Sequence, residues 1–177
     1  MIKNIFFDLD ECLIHSQVNQ DPEQSCLKFT LGEDLHNYYT LVHPRANFLI
    51  DYARKRTAFE NVFILTTSAK DYASKINELA GFGFPEENIL GREVIKKHSY
   101  PAAYGGSSTI PMKGIAHKDN ILIDNLIWKH NISKMGLIGI SADRYLHVRD
   151  YYGVNYSDDI FEKRVTEFID EKYYEHE

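Results

Sequence analysis

The chain has 177 residues, 44% hydrophobic and 26% charged, which suits one domain with a sizeable core and would be cramped for two. Its 20 basic and 26 acidic side chains leave a net charge of −6, so the overall field does not favour a long nucleic-acid partner. No apolar run approaches the ~18 to 20 residues needed to span a bilayer, and no membrane partner is expected.

The first apolar run, Ile2 to Leu9, reads as a strand. It carries Lys3, Asp8 and Asp10 and has no small-residue cleavage site, which reads against a signal peptide. Cys12 and Cys26 are too few for a disulfide scaffold, and a reducing, cytoplasmic setting is the expectation. Neither cysteine has an arginine six residues on, so a cysteine-dependent phosphatase loop is not supported. Residues 14–42 break the rhythm, with Leu27 to Thr30 and Tyr38 to Val42 expected as a small β-hairpin flap. Pro44 suits a first helical turn, and Phe48, Leu49 and Tyr52 follow at helical spacing. Arg54, Lys55 and Arg56 close that helix where cations are favoured.

A second strand is expected from Asn61 to Thr66, then a helix from Ser68 to Ala80 ended by Gly81-Phe82-Gly83. Residues 92–112, polar and glycine-bearing, read as an irregular insertion. Asn120 to Asp124 and Gly136 to Ile140 are two further strands. Ser157 to Lys172 is a last helix, with Ser157 or Asp158 as N-cap and Ile160, Phe161, Val165, Phe168 and Ile169 on one face. Strands alternating with helices predict an α/β, doubly wound (Rossmann-like) single domain over residues 1–177, with a central parallel sheet and no large cap domain.

Asp8 and Asp10 are two apart at the end of an apolar strand, so they face one side while Leu9 turns to the core. Charged carboxylates there are costly unless something pairs with them. Alone, the pair is equally a surface turn or a metal site. Two other strand ends bear on the choice. Thr66-Thr67-Ser68 supplies hydroxyls and backbone N–H groups opening a helix, and Asp124-Asn125 supplies further oxygens. In a parallel sheet all three would converge at one edge, where open α/β sheets bind ligands.

These motifs resemble the haloacid dehalogenase (HAD) superfamily of phosphohydrolases, whose first motif is D-x-D-x-[TV]. Within it the chain looks most like the phosphatases of the RNA polymerase II C-terminal domain (the FCP/SCP, or NLI-interacting-factor-like, family). Their DLDETLVH is similar to DLDECLIH at Asp8 to His15. Their F-T-A-S-x-x-x-Y-A is similar to the run from Leu65 to Ala73, their L-x-R-E to Leu90-Gly91-Arg92-Glu93, and their V-D-N to Ile123-Asp124-Asn125. His43-Pro44 stands where they have an R-P pair, and Cys12 where they usually have Thr.

The resemblance implies a HAD fold and a phosphomonoester hydrolase in which Asp8 attacks phosphorus and Asp10 serves as general acid, then base. It implies Mg²⁺ held by Asp8, the Asp10 backbone carbonyl and Asn125, with Asp124 ordering that shell. Thr66 would hold a phosphoryl oxygen, assisted by backbone N–H groups near Leu9 and Thr67. Lys113 is the expected balancing cation, with Lys118 its competitor. Cys12 is expected to pack, His15 to be an exposed polar residue near substrate, and Trp128 either to cover the pocket or to pack in the core. The implied partner is a phosphorylated substrate: a phosphoserine or phosphothreonine protein, a nucleotide or nucleic-acid end, or another small phosphoester. A catalytically silent binding module of the same fold is the reading from a different class.

Overall fold

Alternation within the apolar runs decides how the sheet is covered. The structure, a computed structural model, describes residues 2–32, 35–93, 119–130, 140–153 and 158–174. Strand β1 (Ile5–Phe7) sends Ile5 and Phe7 into the main core and Phe6 into a smaller cluster on the opposite face, as a side-chain period of two requires. Strand β7 (Ile121–Asp124) does the same, with Ile121 and Ile123 on the main face and Leu122 on the other. Both strands are fully buried because both faces are covered, which is why they read as unbroken apolar runs.

With β5 (Val62–Leu65), β6 (Ile89–Leu90) and β8 (Tyr145–His147), these strands form one five-stranded sheet, ordered β6–β5–β1–β7–β8. Every neighbouring pair is parallel. The chain steps outward from β1 to one side and then crosses to the other, so the switch in strand order falls at β1. Crevices at such a switch, outside the carboxyl ends of the strands, are where open α/β sheets take ligands.

Helix α1 (Ala46–Arg56) buries Ala46, Leu49, Ile50 and Ala53, and its last turn carries Arg54, Lys55 and Arg56. Helix α2 (Lys70–Ala80) buries Tyr72, Ala73 and Ile76 and ends at Gly81, whose φ of 68° is the left-handed cap that glycine adopts without strain. Helix α3 (Asp158–Tyr174) buries Phe161, Val165, Phe168 and Ile169. Phe48 and Ile160, expected on apolar faces, are instead 46% and 61% exposed. Each neighbours the true stripe by one position, about 100° around the helix, which turns it toward water.

The flap is larger than a hairpin. Strands β2 (Ile14–Val18), β3 (Leu27–Leu31) and β4 (His36–Val42) form an antiparallel sheet with β4 in the middle. The strand expected over 136–140 lies outside the described residues except for Ile140, which is buried in the smaller cluster. The described partner of β7 on that side is β8. Of the expected insertion, only Arg92 and Glu93 are described.

Candidate active site

The turn after β1 is built around one carbonyl. Leu9 O accepts the N–H groups of Cys12, Leu13 and Ile14 at 3.4, 3.0 and 3.1 Å. Glu11 makes the bend possible by taking a φ of 60°, a left-handed conformation uncommon for a residue with a side chain. Leu9 is fully buried and anchors the turn. Asp8 N–H donates to Ile123 O at 2.9 Å, continuing the β1–β7 ladder by one residue. Asp8 therefore reaches the strand end beside Asp124.

Burial first, and then the carboxylates of Asp124, Asp10 and Glu11, push the Asp8 carboxyl well above the usual carboxylate range; a hydrogen bond from Leu9 N–H pulls the other way. The strongest charges on Asp8 from the described residues are thus all acidic. Cys12, buried beneath it, has its thiol pushed well up by burial and by Asp8 and Asp124. It packs as expected and is no thiolate nucleophile. Asp124 is buried and its Oδ1 accepts the Leu126 N–H at 2.7 Å, which fixes the carboxylate at the strand end.

Asp10 lives in a different environment. Its Oδ2 accepts Ser68 Oγ–H at 2.6 Å and Thr66 Oγ–H at 3.4 Å, and its Oδ1 accepts the Tyr72 hydroxyl at 2.8 Å. When Asp10 is ionised it can only accept, and the Tyr72 proton then points to Asp10. Ser16 Oγ–H, 2.6 Å away, then donates to the Tyr72 oxygen, and Thr40 Oγ–H, 2.6 Å from Ser16, donates in turn. The row of hydroxyls runs from the flap to Asp10, and with Asp10 ionised every donor points toward the acid. Burial and the Asp10 charge push the Tyr72 phenol upward, so it keeps its proton.

Helix α2 delivers these groups because the Leu90-Gly91-Arg92-Glu93 segment holds its start. Thr66 N–H donates to Leu90 O at 2.9 Å, and Arg92 N–H to Ser68 O at 2.8 Å. Arg92 Nε–H donates to Thr67 O at 2.9 Å, and Glu93 Oε2 accepts the first helical N–H, that of Lys70, at 2.9 Å. A Cβ on Gly91 would stand 2.6 Å from Lys70 Cα, so only glycine admits this approach.

The structure thus brings Asp8, Leu9, Asp10, Thr66, Asp124 and Asn125 to one sheet edge. Thr67 lies beside them with its side chain exposed. Lys113 and Lys118 lie outside the described residues. His15 is a correction: its side chain is only 14% exposed, and Nδ1 is 2.9 Å from Glu11 Oε2, so the turn that bends the chain also sequesters the histidine. Trp128 packs against the smaller cluster and donates Nε1–H to Ile140 O at 2.9 Å, so it serves the core. Sequence reasoning had no role for Ser68 and Tyr72 as partners of Asp10, although their spacing within the Leu65-to-Ala73 motif was a signal. It missed Ser16 and Asp150 outright. Asn125 Nδ2–H donates to Asp150 Oδ1 at 2.9 Å.

Asp8, Asp124, the Asn125 amide and the Asp10 carbonyl are hard oxygen donors of the kind a divalent cation takes. The acidic crowding on Asp8 fits a cation there. Among the described residues no three His, Cys, Asp or Glu side chains form a metal cage by themselves, so a cation would also draw on the amide, the carbonyl and water. From Asp10 an open cavity of about 410 Å³ runs between flap and helix, lined by Val18, Leu31, His36, Tyr38, Tyr72 and Arg92 among others.

The five-stranded parallel sheet with paired acids at its switch point, facing a hydroxyl-bearing loop and an Asp-Asn pair, agrees with the HAD-type phosphatase class that the family comparison shows. The model of the NLI interacting factor-like phosphatase family matches residues 3–175, and the chain belongs to that family. Among solved structures it is similar to fission yeast RNA polymerase II CTD phosphatase Fcp1, in a variant bound to beryllium fluoride. That match has 15% identity and a TM-score of 0.52, over 94% of this chain and 50% of that one. A second structure of Fcp1, described as an essential RNA polymerase II CTD phosphatase, matches with 16% identity and the same TM-score of 0.52, over 94% of this chain and 49% of that one. The chain therefore spans about half the length of these structural relatives, and at such identities the likeness concerns the fold. No curated protein sequence matches.

Proposed function

We propose that this domain hydrolyses phosphomonoesters, with Mg²⁺ as its divalent cation and Asp8 as a covalent nucleophile. The observation that carries the reading is the contrast between two acids two residues apart. Asp8 is crowded by carboxylates at the strand end, while Asp10 is held by three hydroxyls. A divalent cation beside Asp8 would offset that crowding and keep Asp8 ionised to attack, which leaves Asp10 for proton transfer.

Asp8 attacks phosphorus, forming a carboxylate-oxygen–phosphorus bond as the ester oxygen leaves. Protonated Asp10 gives its proton to that oxygen. Asp10, now a carboxylate, takes a proton from water as the water oxygen attacks phosphorus, and the bond to Asp8 breaks to release phosphate. Ser68 and Tyr72 keep the Asp10 carboxyl in one orientation through both steps. Thr66 and the backbone N–H groups near Leu9 and Thr67 cradle phosphoryl oxygens, and Lys113 is proposed to balance charge. Bound Mg²⁺, held by Asp8, Asn125 and the Asp10 carbonyl with Asp124 behind, would supply Lewis-acid charge stabilisation.

The cavity beside Asp10 is open and part-apolar, which favours a phosphorylated segment of a larger molecule, with phosphoserine or phosphothreonine in a protein as the proposed class. The test is phosphate release from p-nitrophenyl phosphate and from a panel of phosphopeptides and nucleotides, with Mg²⁺ or EDTA. Release should need the metal and prefer peptides. Turnover that ignores EDTA would refute the metal requirement, and a preference for nucleotides would refute the substrate class.

A further inference from the structure

An amide that serves as an oxygen ligand has to be prevented from turning its nitrogen inward. We infer that Asp150 is the positioning residue that fixes the Asn125 amide with its oxygen toward the metal site. This inference rests on the metal-dependent reading of the site. Asn125 Nδ2–H donates to Asp150 Oδ1 at 2.9 Å. A carboxylate only accepts, so the NH₂ half must face it, and the reversed amide would set two oxygens against each other. The Asn125 oxygen is thereby committed to the opposite side.

Asp150 is itself held in place. Its Oδ2 accepts the Tyr152 hydroxyl at 3.1 Å. The segment that carries it is clamped to the end of β7 and to the turn after β1, through Val148 N–H to Asp124 O at 2.9 Å and Tyr151 N–H to Glu11 O at 2.7 Å. The Tyr151 ring is buried, and its hydroxyl donates to Val42 O at 3.1 Å, which ties the same segment to the flap. Asp150 touches no reacting atom; it acts through Asn125, as outer partners of metal ligands do.

The test is calorimetric titration of Mg²⁺ alone into the full chain, without substrate, for wild type, Asp150→Ala and Asp150→Asn. Asp150→Ala should weaken Mg²⁺ binding by about tenfold or more, the usual cost of losing such a partner. Asp150→Asn should stay within about threefold of wild type, because its oxygen can accept from Asn125 while its NH₂ donates to the Tyr152 hydroxyl. Metal-free melting curves establish that both variants are folded. Equal affinity in Asp150→Ala and wild type would overturn the assignment. If Asp150→Asn binds as weakly as Asp150→Ala, charge alone accounts for the effect and positioning is refuted. Wild type that binds no Mg²⁺ would overturn the metal reading itself, a distinct result that takes this inference with it.

Discussion

His43 gives the fold a measurable acid sensitivity. It is 1% exposed at the joint between β4 and α1, with its ring packed 4.7 Å from Tyr151 and 4.3 Å from Phe161. Its Nδ1 accepts the Arg45 N–H at 3.0 Å, so the neutral ring carries its proton on Nε2, 3.8 Å from Asp158 Oδ1. Burial lowers the imidazole pKa from 6.5 to about 4; Asp158 pulls it up and Arg45 pushes it down. The contact with Asp158 is therefore that of a neutral ring at neutral pH. The folded pKa is depressed, so between about pH 6.5 and 4 the unfolded chain binds the extra proton and stability falls with pH. Each pKa unit is worth about 1.4 kcal/mol, which makes the loss about 2 kcal/mol from pH 7 to pH 5 and about 3 kcal/mol by pH 4. The perturbation is His43→Asn, which keeps an acceptor near Nδ1 and cannot titrate. Urea unfolding of both proteins at pH 7, 6 and 5 reads the effect. The variant should be less stable throughout, because it opens a cavity, but should lose about 2 kcal/mol less between pH 7 and pH 5. Parallel pH dependences would rule out His43 as the source of the acid sensitivity, since other titrating groups are common to both proteins.

Three further outcomes are expected. Gly91→Ala must displace the Lys70 backbone, which a Cβ would meet at 2.6 Å, so it should cost about 1–3 kcal/mol in urea unfolding and lower kcat by disturbing Ser68. Tyr72→Phe removes one donor from Asp10 and leaves the phosphate contacts proposed at Thr66 in place, so kcat should drop about tenfold with KM little changed in steady-state assays. Asp8 has a raised folded pKa, so its ionised form costs stability as pH rises to neutrality. Asp8→Asn should therefore raise the metal-free melting temperature at pH 7, by about 2–4 °C for each kcal/mol relieved, and should weaken the upward shift that Mg²⁺ gives wild type.

What was legible in the sequence is what short-range pattern encodes. The central strands were readable because parallel strands covered on both faces leave unbroken apolar runs, and the acids at Asp8, Asp10 and Asp124 stood out against them. β8 was not, since Tyr145–His147 is too short and too polar to carry a pattern of its own. Helix faces were misjudged at Phe48 and Ile160, where an apolar residue adjoins the stripe and only tertiary packing decides which one is buried. The hydroxyl row from Thr40 through Ser16 to Tyr72 joins residues 24 and 56 positions apart, a contact made where the flap packs against α2. Asp150 reaches Asn125 across 25 residues from a loop with no motif of its own. Sequence spacing therefore located the acids, while the groups that orient them depend on long-range contacts.

The covalent role proposed for Asp8 can be tested directly on the protein caught during turnover. Enzyme mixed with excess p-nitrophenyl phosphate and Mg²⁺ is quenched rapidly, reduced with borohydride and digested for peptide mass spectrometry. An aspartyl-phosphate at position 8 is reduced to homoserine there, whereas a free carboxylate is not. Conversion is expected at Asp8 alone, dependent on substrate and absent in Asp8→Asn, which should also be inactive. Steady turnover with Asp8 unconverted, together with activity retained by Asp8→Asn, would contradict it.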